Sequence, residues 1–149
     1  MLERLRETST ARLAKHYLIL GQRGMGKTSL LRRLALGVRA DAELNAALLP
    51  LTFREEQYNI HNLNIFWCNC LDALGDWFEK SGQADKAAEI DRDVAALARG
   101  ETDPEGQRAL EVFTRWTKRE GKRPLLLLDS VDLILDGIAR YQWSLRRAL

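Results

Sequence analysis

Residues 21–28 read Gly-Gln-Arg-Gly-Met-Gly-Lys-Thr, which sets glycines and a Lys-Thr pair at the G-x-x-x-x-G-K-[ST] spacing. Each position has a mechanical use in holding a nucleoside triphosphate. Gly21, Gly24 and Gly26 allow backbone angles and close approaches that a Cβ would block. The N–H groups of the loop, those of Gln22, Arg23 and Met25 included, can then turn toward phosphate oxygens. Lys27 is expected to reach the β- and γ-phosphates, the Thr28 hydroxyl to complete the coordination of a phosphate-bound Mg²⁺, and Ser29 to touch the α-phosphate.

Such a loop works only if a strand delivers it and a helix receives it. Residues 16–20, His-Tyr-Leu-Ile-Leu, predict the strand; 27–39 predict an amphipathic helix with Leu30, Leu31, Leu34 and Val38 on its buried stripe. The N-terminal end of that helix adds partial positive charge beside the loop. Upstream, residues 1–15 alternate charge with Leu2, Leu5 and Leu13 at near-helical spacing, which reads as a short helix or leading arm. Residues 48–53 predict a second strand, where Pro50 argues for an edge position or a strand start. Further helices are expected over 62–80, with Leu63, Phe66, Trp67, Cys70, Leu71, Leu74, Trp77 and Phe78 inward, and over 83–99. Another starts at Thr102-Asp103-Pro104-Glu105 and runs to about 120.

Residues 124–129 are Pro-Leu-Leu-Leu-Leu-Asp, the pattern of a buried parallel strand whose C-terminal end faces a ligand crevice. The next residue is Ser130, a poor general base at a position where a Glu could polarise an attacking water. Asp132 is the nearest alternative carboxylate and, with Lys27, the candidate catalytic pair; the competing reading is that it caps the following helix. Glu55 and Glu56, in the polar loop after the second strand, either approach the γ-phosphate side or are solvated.

The 149 residues, 46% hydrophobic and 30% charged, describe one globular domain and exclude a disordered chain. A net charge of +2 is too small to argue for a nucleic-acid or membrane partner. The basic stretch 117–123 could touch nucleic-acid phosphates, but cations at a helix end with Gly121 as C-cap favour a solvated terminus. Cys68 and Cys70 diverge on a predicted helix and lack a second pair, so they read as buried free thiols, not zinc ligands. No apolar run reaches the roughly 18–20 residues of a membrane span and the N-terminus is charged, so a cytoplasmic location is expected.

The two motifs together resemble the P-loop ATPases of the additional-strand class, particularly the AAA-like and STAND-type ATP-binding proteins, through residues 20–31 and 126–132. The resemblance implies a three-layer α/β P-loop NTPase domain with a mostly parallel sheet, ATP rather than GTP, and Mg²⁺ held by Thr28 and, through water, by Asp129 as the Walker B acid. It also implies a sensor strand inserted between the first strand and the Walker B strand, followed by a lid. The chain reaches Leu149 before either, so an incomplete N-terminal portion of an ATPase domain is expected. Ser130 departs from the family, which usually carries an acidic residue or Asn there. The leading expectation is therefore an ATP-binding ATPase domain, and the alternative a nucleotide-gated switch or interaction module with slow or no hydrolysis. Family analogy points to a homo-oligomer or a C-terminal partner domain.

Overall fold

The computed structural model describes residues 1–9, 15–53, 60–99 and 103–148, without the side chains of 8, 9, 99 and 142–148. Glu55 and Glu56, Leu13, and Thr102 of the expected helix start lie outside the described residues. Helix α1 (Leu2–Ser9) precedes the glycine loop, and α2 (Lys27–Ala40) and the short α3 (Ala42–Ala47) follow it. Strand β1 (Leu48–Thr52) comes next, then α4 (Leu63–Lys80), α5 (Ala84–Arg99), α6 (Gln107–Glu120), strand β2 (Arg123–Leu127) and α7 (Val131–Ala148). The protein is mixed α/β and mostly helical.

β1 and β2 pair in parallel, from Leu48 opposite Arg123 to Thr52 opposite Leu127, and form a two-stranded sheet among the described residues. Successive side chains of a strand point to opposite faces, and two apolar clusters divide accordingly. Leu49, Leu51 and Leu126 join the larger cluster with Phe78, Trp77, Leu74, Ile90, Phe113 and Trp116 from α4, α5 and α6. Leu48 and Leu125 join the smaller one with Leu5, Leu34, Val38 and Leu44 from α1, α2 and α3. Pro50 is fully buried yet sits in a strand with a ladder neighbour on one side, which is where a missing N–H is tolerated.

The expected strand over 16–20 is corrected: these residues form no regular element, and Leu18 and Leu20 are 70% and 82% exposed. An apolar run becomes a strand only beside a ladder partner, and β2 turns its paired edge to β1. Leu30 is also more exposed than its place on the predicted stripe, while Leu34 and Val38 are buried as expected. Among the described residues no helix is long and apolar enough to cross a membrane.

Two local signals set the ends of the large helices. Asn62 accepts from the Ile65 N–H at 2.9 Å to cap α4. Gly121, at φ 64°, ends α6 in the left-handed conformation and donates to the Lys118 carbonyl.

α7, which continues directly from the acid-bearing end of β2, approaches residue 60 closely. A Cβ on Gly137 would stand 2.3 Å from the Ile60 carbonyl oxygen. In a free helix Gly→Ala gains about 1 kcal/mol. Gly137→Ala is expected to reverse that sign and destabilise the fold in urea denaturation; a net gain would show that α7 is not seated on Ile60.

Candidate functional site

The glycine loop is a succession of turns. Met25 N–H donates to the Gln22 carbonyl at 3.3 Å, with Gly24 as the third residue of that turn at φ 86°, a sign that glycine meets without strain. Gly26 is also left-handed, at φ 79° and ψ 22°, and its carbonyl accepts the Leu30 N–H as the first bond of α2. A Cβ on Gly24 or Gly26 would meet nothing within 4 Å, so both glycines are required by backbone angle and not by crowding. Gln22, Arg23 and Met25 are exposed around them, and Ser29 is exposed one turn into α2.

Lys27 bends back over this loop. Its Nζ donates to the carbonyls of Gly21 at 2.7 Å and Gln22 at 2.9 Å, which holds the ammonium against the start of the loop. Carbonyl anchors of this kind are independent of side-chain identity, so no residue type advertised them. The Gln22 N–H donates to the Met25 sulfur at 3.2 Å.

Across the site, β2 ends at Leu127 and the chain continues through Leu128 to Asp129. The Thr28 hydroxyl donates directly to Asp129 Oδ2, and the Ser130 N–H donates to Asp129 Oδ1 at 2.9 Å. Two residues 101 positions apart are thus joined by their functional atoms. α2 delivers the hydroxyl from its first turn, and the strand end delivers the carboxylate.

The chain matches no protein-family model, no curated protein and no solved structure. What it can do has to be read from the site itself.

The donor set is all hard oxygen. A threonine hydroxyl beside one carboxylate suits Mg²⁺, which keeps several waters and takes phosphate oxygens in preference to an all-protein cage. No group of three or more His, Cys, Asp or Glu side chains gathers among the described residues. The hydroxyl and carboxylate present are donors that a phosphate-bound magnesium ion could use, and Lys27 is a cation that could meet phosphate oxygens beside them.

Asp132 is placed differently from Thr28 and Asp129. It is exposed in the first turn of α7, whose first turn-closing bond runs from the Leu133 N–H to the Ser130 carbonyl at 3.0 Å. The capping position is therefore Ser130, and Asp132 contributes its charge to the helix N-terminal end from within.

The basic stretch is drawn into the fold more than the sequence suggests. Arg119 pairs with Glu89 at 3.1 Å and lies over the Trp116 ring. Lys122 donates to the Asn45 carbonyl at 2.6 Å and lies over Trp77. Cys68 and Cys70 are free thiols, the second of them buried, and burial pushes both thiols up.

The Thr28–Asp129 bond lies in an exposed setting, where water competes for both partners, so its net contribution to stability is small. Thr28→Val is expected to cost about 1 kcal/mol or less in urea denaturation. A loss of several kcal/mol would mean that the bond holds α2 to the strand end structurally.

Proposed function

We propose that this chain binds ATP with Mg²⁺ as the nucleotide-binding part of an ATPase, in a three-layer P-loop fold of the additional-strand class. The observation that carries the reading is the meeting of Thr28 and Asp129 beside a loop whose two left-handed glycines and back-folded lysine suit phosphate. The preference for ATP rests on the sequence resemblance.

In this reading the Lys27 ammonium would oppose the charge of the β- and γ-phosphates, which is where phosphoryl transfer needs stabilisation, and the Gln22 and Met25 amides, which donate within the loop, would have to exchange those bonds for phosphate oxygens. Thr28 and Asp129 are the residues that would hold the metal. Magnesium supplies neutralisation of charge across the β- and γ-oxygens when bound.

A second reading is favoured by Ser130 and Asp132. Ser130 offers no carboxylate where water would be activated, and Asp132 is committed to the first turn of α7. A nucleotide-gated switch with slow turnover fits that chemistry, and its conformational readout would pass to a second copy or to a C-terminal partner domain.

The binding claim has a direct thermodynamic test. ATP–Mg²⁺ at 100 times its dissociation constant is expected to stabilise the protein by about 2.7 kcal/mol, read as a shift of the unfolding transition, and Lys27→Ala to remove most of that shift. A wild-type protein whose transition does not move with ATP–Mg²⁺ would sink the proposal.

A further inference from the structure

Met25 is 69% exposed, yet its sulfur is committed to the loop. Sδ accepts the Gln22 N–H at 3.2 Å, and a Cβ on Gly21 would stand 3.4 Å from the same atom, so the thioether is folded back against the backbone of residues 21 and 22. The Met25 N–H returns the link by donating to the Gln22 carbonyl at 3.3 Å. Lys27 Nζ donates to that carbonyl as well, at 2.9 Å. Gln22 is thus held at its N–H by sulfur and at its carbonyl by an amide and an ammonium.

The sulfur is the weak member of this set. A thioether is a poor acceptor, so the Gln22 amide can leave it for a phosphate oxygen at little cost. Oxygen on the sulfur reverses that relation. A sulfoxide is polar, and its oxygen is a good acceptor carried on the same side chain at the same place. It competes with phosphate for the Gln22 N–H and brings partial negative charge to the point where the phosphates bring theirs. The exposure of Met25 leaves it open to a small oxidant. Burial pushes the Cys68 and Cys70 thiols up, away from the thiolate form that peroxide attacks.

We propose that Met25 is an oxidation site that regulates the loop: a hydroperoxide converts its thioether to the sulfoxide, which weakens triphosphate binding by retaining the Gln22 amide. The proposal rests on the nucleotide reading above and adds a regulation to the same site. In the step, a lone pair of Sδ attacks the terminal oxygen of the peroxide. The S–O bond forms as the O–O bond breaks, and the proton of the attacked oxygen passes to the departing one. With hydrogen peroxide the by-product is water; the sulfur loses two electrons and the peroxide gains them. A thiol-dependent sulfoxide reductase reverses the change and releases the oxygen as water.

The chain has two methionines, Met1 and Met25, so Met25→Leu keeps every oxidisable group except the one in question. Each protein is treated with hydrogen peroxide and then with dithiothreitol, which returns thiols but not sulfoxides, and the sulfoxide at Met25 is located by peptide mass. Dissociation constants for ATP–Mg²⁺ are measured by calorimetry before and after, each protein serving as its own reference. Oxidation is expected to weaken wild-type binding about tenfold, the size of one lost hydrogen bond to a charged group, and to change Met25→Leu by less than about twofold. Methionine sulfoxide reductases acting on both epimers are expected to restore the wild type. Without nucleotide, the Gln22 amide proton resonance is expected to move downfield as the sulfoxide forms.

Urea denaturation checks that the oxidised protein is folded. If it is not, Met25→Gln, which carries an amide oxygen on the atom that takes the place of the sulfur, is compared with Met25→Leu and is expected to bind about tenfold more weakly. An oxidised wild type that binds as tightly as the reduced one, an equal loss in Met25→Leu, or a Gln22 resonance that stays in place would overturn the proposal while leaving nucleotide binding intact. A reduced wild-type protein that does not bind ATP–Mg²⁺ would remove both.

Discussion

The parallel pairing of Leu48–Thr52 with Arg123–Leu127 is the constraint on which the remaining arrangement hangs. It closes a long loop that contains α4, α5 and α6, and a loop of that size has a chain-entropy cost the ladder alone cannot offset. The apolar clusters on its two faces supply the difference. Because α2 packs on one strand of the pair and the other strand runs on to Asp129, the same ladder that organises the core also sets the distance between hydroxyl and carboxylate. Fold and site are positioned by one interaction.

The two faces are unequal. On the α4–α6 side, Phe66, Trp67 and Phe113 form one run of edge-on and tilted ring contacts and Trp77, Phe78 and Trp116 another, with centroids 5.0 to 5.7 Å apart. Pairs of this kind add about 0.5–1.5 kcal/mol each beyond the area they bury. Lys86 and Lys122 lie over Phe78 and Trp77, and Trp116 donates its indole N–H to Asp93 at 2.8 Å, so the polar edges of this cluster are also used. The α1–α3 side is smaller and is tied by the Asp41 carboxylate, which caps α3 through the Leu44 N–H and pairs with Arg6. Those two contacts hold the Asp41 carboxyl below the usual carboxylate range, the backbone bond first. The glycine loop projects from this lighter side with few buried contacts, the kind of place where local rearrangement has the lowest cost.

What was legible in the sequence follows from whether a residue's role is local. The glycine spacing, the Gly121 cap and the apolar stripe of α4 depend on neighbours a few positions away, and each has a residue-type signature. Asp129 was legible because an apolar run ending in an acid describes a strand end whatever lies beside it. Residues 16–20 misled for the converse reason: Leu18, Ile19 and Leu20 satisfy the composition of a strand, but a strand is a relation to a partner, and composition does not contain the partner. α3 went unforeseen although Asp41 before Ala-Glu-Leu is a capping signal, because six residues are too few for periodicity to show. Left-handed Ser130 had no signal at all, since serine is not a residue that announces positive φ.

The hydrogen bonds inside the candidate site share a property that bears on how it would work. Lys27 gives its donors to two neutral carbonyls, and Thr28 gives its proton to a carboxylate that metal could take. A phosphate oxygen carries charge where a carbonyl does not, and charge-assisted bonds are roughly twice as strong as neutral ones. Exchanging Gly21 and Gln22 carbonyls for phosphate would therefore strengthen the lysine's bonds, and the carbonyls released face solvent, where water satisfies them. The Thr28 hydroxyl can turn its lone pair to a cation without leaving its place, because α2 fixes its Cβ and only the proton has to rotate away. The Lys27 and Thr28 contacts are thus ones that a metal-bound triphosphate could replace without moving α2 or β2, while the turn bond from Met25 to Gln22 keeps the loop's own shape.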